Sequence, residues 1–114
     1  MPDPTRQVLL DENVDRLPKP LFDPDLDVVT VREHGWDGLK NGALLRAASG
    51  EFDVFVTVGR NLQHQQNLSV LDLAVVVIRS VSNAFKDVAP LMPAVNEAVR
   101  RAHPGAATVV NERG

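Results

Sequence analysis

Val8-Leu9-Leu10-Asp11-Glu12-Asn13 is the stretch whose reading decides the fold: three apolar residues run without a break into two acids and an amide. An uninterrupted apolar run suits a short strand covered on both faces, as in a parallel sheet between helices. Open sheets of that kind bind ligands outside the carboxyl ends of their strands, so Asp11, Glu12 and Asn13 stand where a reactive or metal-holding edge is expected. A second stretch, Phe52-Asp53-Val54-Phe55-Val56-Thr57, leads into Val58-Gly59-Arg60-Asn61. If the two strands are neighbours, their ends form one site.

Outward from these runs, strands and helices alternate. Val14 to Phe22 has room for about two helical turns, shortened by Pro18 and Pro20. Asp27 to Val31 is β-branched and reads as a second strand before Glu33-His34-Gly35-Trp36. From Asn41, a candidate N-cap, Leu44, Leu45, Ala48 and Phe52 follow helical spacing, and Gly50 supplies the stop. Asp53 to Val58 is the third strand. Leu73 to Ile78 is the fourth and the most hydrophobic, and is expected in the middle of the sheet. Asp87 is expected to cap a final helix through Ala102, with Leu91, Met92, Val95 and Val99 on one face and Pro90 and Pro93 in its first turns. Ala107 to Val110 reads as an edge strand. The alternation implies right-handed crossovers and an α/β domain of three layers, α/β/α, around a mainly parallel sheet of four or five strands.

The chain has 114 residues, the size of one domain. A hydrophobic share of 44% with 24% charged residues suits a globular core. The net charge of -3 gives no global attraction to nucleic acid, although nine of the twelve cations are arginines that can cluster locally. The absence of cysteine removes disulfides, thiolate zinc sites and thiol nucleophiles, and suits a reducing compartment. Prolines and charges occupy the first residues, where a signal peptide needs an apolar core, and no apolar run approaches a membrane span. The expectation is a cytoplasmic protein.

Two chemistries compete at the first edge. Magnesium and manganese favour carboxylate and water ligands, but Asp11 and Asn13 equally suit the cap of a short helix. At the second edge Gly59 brings no side chain, and Asp53, at the opposite end of its strand, reads as a strand-opening residue. Arg60, Asn61, Gln63, His64, Gln65, Gln66 and Asn67 form a polar loop able to hold phosphate oxygens or base edges, or simply to face water. Trp36, between two glycines, is expected to plug one end of the core rather than stack a base. His34, His64 and His103 lack the spacing of zinc ligands and are expected at or near the surface. Arg100 and Arg101 close the last helix, where cations complement its dipole. Glycine-rich phosphate loops and nucleophile elbows are absent from the sequence.

Four blocks then occur in order: Val8 to Asn13, Gly35-Trp36-Asp37-Gly38-Leu39-Lys40-Asn41-Gly42, Phe52 to Leu62, and Gln65-Gln66-Asn67. In this order the chain resembles the DUF5615 family of PIN-like proteins from about Val8 to Val99. That resemblance implies the toxin half of a bacterial toxin–antitoxin pair. It also implies a metal-dependent ribonuclease whose acids bind Mg2+ or Mn2+. Carried over by residue, Asp11 is the first family acid and the expected metal ligand, with Glu12 and Asn13 completing a catalytic motif. Arg60, Asn61, Gln65, Gln66, Lys40 and Asn41 become candidate RNA-binding residues. Gly59 departs from the pattern, standing where the family usually has aspartate. Lys40-Asn41 likewise falls where more typical PIN-like relatives carry an acid. The resemblance thus implies either a ribonuclease, active or disarmed at Gly59, or a non-catalytic binding module. In either form the expected partners are a cognate antitoxin or a second copy of the chain, with RNA as substrate and no membrane.

Overall fold

A computed structural model describes residues 6–11, 21–36, 38–39, 41–58, 71–80 and 85–111, without the side chains of Asn41 and Phe85. Five strands form one sheet: β1 Gln7–Leu10, β2 Asp27–Thr30, β3 Val54–Val58, β4 Ala74–Arg79 and β5 Ala107–Asn111. Their order is β2-β1-β3-β4-β5, and every neighbouring pair is parallel. Helix α1 spans Asn41–Ala48, a single α-helical turn α2 spans Phe85–Val88, a 3-10 turn spans Ala89–Leu91, and α3 spans Met92–Arg101. The sheet lies between helical layers, as the alternation of the sequence requires.

Strand alternation divides the core in two. Val8, Leu10, Val54, Val56, Ala74, Val76 and Ile78 meet Met92, Val95 and Val99 of α3, together with Phe22 and Leu26. Leu9, Phe55, Val75 and Val77 meet Leu44, Leu45 and Ala48 of α1 on the opposite face. Strands buried on both sides need no polar alternation, which is why β3 and β4 read as continuous apolar runs. Burying each Val or Leu contributes about 1.5–3 kcal/mol. β4 is an interior strand as expected, although the centre of the sheet is β3.

Two expectations are corrected. The last helix does not start from an Asp87 cap. Asp87 lies inside α2, and α3 begins after Leu91 with no side-chain cap bond and a proline in its first turn. A proline lacks an amide donor, so Pro90 and Pro93 divide the segment into single turns before a regular helix can run. The crossovers also differ in hand. The steps from β2 to β3 and from β4 to β5 move the same way across the sheet, yet α1 and α3 cover opposite faces. One of the two therefore departs from the right-handed rule.

The chain before β2 is fastened to α3. Buried Asn96 accepts the Asp23 amide at 2.9 Å and donates to the carbonyls of Leu21 and Met92 at 3.1 and 3.0 Å. Arg100 bonds Asp25 through both terminal nitrogens at 2.7 Å and Asp23 at 2.6 Å. Arg101 pairs with Glu97 one turn earlier at 2.6 Å. Arg6 donates to the Ala102 carbonyl at 3.0 Å, placing a cation at the carboxyl end of α3. The expected short helix over Val14 to Phe22 falls largely outside the described residues; Leu21 and Phe22 form a turn, with Phe22 buried.

Candidate functional site

β1 and β3 lie side by side, and the chain reverses its direction across the sheet between them: it steps from β1 to β2 on one side, then crosses back to β3 on the other. The carboxyl ends of two strands flanking such a reversal are the position at which doubly wound sheets of this order bind ligands. Asp11 follows β1 at that position. Its amide donates to the Val56 carbonyl at 2.9 Å, which continues the β1–β3 ladder beyond Leu10. Its carboxylate accepts the Thr57 hydroxyl at 2.6 Å.

This short bond follows from register. Leu10 pairs with Val56, so the next residue of each strand, Asp11 and Thr57, meets side by side on the face covered by α1. Thr57 is 4% exposed and Asp11 is half-buried. A charged acceptor makes the bond stronger than one between neutral groups. The pairing fixes the carboxylate while leaving part of it open to solvent.

The β2 end of the edge is closed by its own backbone. Thr30 and Glu33 bond reciprocally: the Thr30 amide donates to Glu33 Oε1 at 2.9 Å, and the Glu33 amide donates to Thr30 Oγ1 at 3.0 Å. This is the capping box of the pattern Thr-x-x-Glu, ahead of a single helical turn. The turn ends at Gly35, whose φ of 81° permits the bonds from Gly35 to Arg32 and from Trp36 to Val31. Trp36 packs on the α1-side core and meets His34 and Phe52 edge-on, with ring centroids 4.4 and 5.9 Å away. It acts as the plug expected of it. His34 also reaches Glu51 at 3.1 Å, so its imidazole serves the packing of this corner.

At the opposite edge of the sheet, Asp53 accepts the Gln7 amide through Oδ2 at 2.8 Å and returns its own amide to the Gln7 carbonyl at 2.8 Å. Asp53 opens β3 and takes no part in the edge at Asp11. His103 is exposed, and His64 lies outside the described residues.

Of the residues singled out from sequence, Asp11 is therefore placed at the carboxyl edge where the strand order reverses. α1 begins at Asn41 where the chain returns from the carboxyl end of β2; Asn41 is the first helical residue rather than the one before it. Glu12, Asn13, Lys40, Gly59, Arg60, Asn61, Gln65 and Gln66 lie outside the described residues. Thr57 and Glu33 are additions. The Thr-x-x-Glu spacing was available to reveal Glu33, whereas Thr57 becomes visible only with the register.

A two-metal phosphoryl-transfer site needs several carboxylates converging on one point. Among the described residues no three potential ligands do so. Asp11 accepts the Thr57 hydroxyl, and Glu33 accepts a backbone amide. The described donors do not make up that set. No helix among the described residues is long and apolar enough to cross a membrane. The chain matches no protein-family model, no curated protein and no solved structure at a significant level.

Proposed function

We propose that this chain is a PIN-like domain of a bacterial toxin–antitoxin pair, and that the carboxyl edge centred on Asp11 faces RNA. One observation carries the reading: a solvent-accessible carboxylate, oriented by Thr57, stands at the point where the sheet reverses its strand order. The order of the four sequence blocks that resemble the DUF5615 family supports it. In the ribonuclease form of the reading Asp11 is essential, Glu12 and Asn13 assist it, and Arg60, Asn61, Gln65 and Gln66, with Lys40 and Asn41, hold the substrate. The protein then acts in the cytoplasm, as a homodimer or bound to a small antitoxin.

A second form is a non-catalytic module that keeps the RNA- or antitoxin-binding surface. Gly59, standing where the family that the chain resembles usually has aspartate, favours it, as does the lack of three converging potential metal ligands among the described residues. Incubation of single-stranded RNA with the protein and Mg2+ or Mn2+, beside Asp11→Asn, separates the two. Metal-dependent cleavage that disappears in Asp11→Asn establishes the enzyme. RNA or antitoxin binding without cleavage establishes the module, and neither binding nor cleavage overturns the proposal.

A further inference from the structure

The edge extends beyond Asp11. Leu9 of β1, Phe55 of β3, and Val75 and Val77 of β4 belong to the core beneath α1, and Ala107 of β5 packs against it. Side chains alternate between faces along a strand, so the same face carries Asp11, Thr57, Arg79 and Asn111 at its carboxyl end. Arg79 and Asn111 are direct register partners on β4 and β5. Both are exposed, and Arg79 ends a strand whose preceding five residues are all buried. With strands about 4.8 Å apart and a rise of about 3.3 Å per residue, the Cα atoms of Asp11 and Arg79 lie roughly 12 Å apart. One extended oligonucleotide strand can touch both.

Charge gives this spacing a meaning. Asp11 repels a phosphate, as does a chain of net charge -3. An RNA strand approaching Asp11 needs a cation on the same face to hold its backbone. A guanidinium grips phosphate oxygens bidentately, and an asparagine amide adds neutral donors beside it.

We propose that Arg79, with Asn111 next to it, is the phosphate-holding subsite of the carboxyl edge, gripping the sugar-phosphate backbone of single-stranded RNA as it passes Asp11. The proposal rests on the reading that this edge faces RNA. It assigns the grip to strand residues of β4 and β5, beside any contribution from Arg60, Asn61, Gln65 and Gln66.

Binding of a short, unstructured, labelled single-stranded RNA, followed by fluorescence anisotropy over a salt series, tests it. Arg79→Gln is expected to weaken binding several-fold at low salt and to reduce the slope of log K against log salt by about 0.7, the share of one phosphate contact. Arg79→Lys should restore the slope but only part of the affinity, because an ammonium lacks the planar fork. Asn111→Ala should lower affinity and leave the slope unchanged. Arg46→Gln removes the same charge from the last turn of α1, at the other end of the domain, and should alter neither quantity. Thermal melting confirms that each variant is folded, and the lysine variant carries the test if Arg79→Gln is not. Wild-type affinity and slope in Arg79→Gln, or an equal loss in Arg46→Gln, overturns the subsite while the RNA reading stands. No RNA binding by the unaltered chain overturns both.

Discussion

Thr57 spends its hydroxyl on Asp11 from a position with 4% exposure, so removing that hydroxyl takes a donor from a carboxylate that water reaches only in part. Thr57→Val keeps the branched shape and deletes the bond. It should lower stability by about 1–2 kcal/mol, toward the lower part of the range for bonds to charged groups, since solvent can replace one side of the interaction. Urea unfolding at neutral pH measures this, and an unchanged midpoint would mean that the pair contributes nothing to folding. Gly59→Asp tests the position at which the family that the chain resembles usually has aspartate. Two acids at one edge repel each other, and a divalent ion relieves that repulsion. Magnesium should therefore raise the melting temperature of Gly59→Asp more than that of the unaltered chain, by mass action on the folded state. An equal response in both proteins removes position 59 from any metal site. At this scale the sequence revealed Asp11 and concealed its partner. An acid after an apolar run is a local pattern, whereas Thr57 is 46 residues away and meets Asp11 only through strand register.

Among the elements, the strands were legible, and so was the last helix except for its start. Runs such as Val54 to Val58 and Ala74 to Ile78 are apolar because both of their faces are covered, and that leaves an unmistakable trace. Between Asp87 and Pro93, cap and proline signals conflict, and the prolines prevail by removing amide donors. The apolar face of α3 was visible in the spacing of Met92, Val95 and Val99, but its polar attachments were not. Asn96 satisfies three backbone groups from the 21–23 turn and its own helix. Asn96→Ala leaves them without that partner and should destabilise the domain by about 1–3 kcal/mol, read by chemical unfolding. Arg100 gives the same attachment an acid limb. Its hydrogen bond holds the Asp25 carboxyl below the ordinary value of 3.8. A carboxyl held low in the folded state stabilises above its unfolded value and loses that contribution as pH falls through the folded one. The melting temperature of Arg100→Gln should accordingly fall less steeply than that of the unaltered chain below about pH 4. Parallel curves would show that the pair does not couple folding to protonation.

For the whole molecule, the strand order places β1, β3 and β4 between neighbours and leaves β2 and β5 at the margins. Amides of β3 should be the slowest to exchange with solvent, and those of β2 and β5 should exchange sooner through local opening, as native-state hydrogen exchange would show. Uniform protection across all five strands would indicate a single cooperative unit instead. Alternation predicted the parallel sheet but could not supply this order, because nothing local in β1 states that β2 and β3 flank it. The order also bears on how the chain is made. Every strand synthesised after β1 pairs with one already available: β2 and then β3 on either side of β1, β4 on β3, and β5 on β4. No strand has to enter between two that are already joined. As the polypeptide leaves the ribosome, the sheet can grow only by addition at an open margin, and no ladder formed early has to be undone for a later strand to take its place.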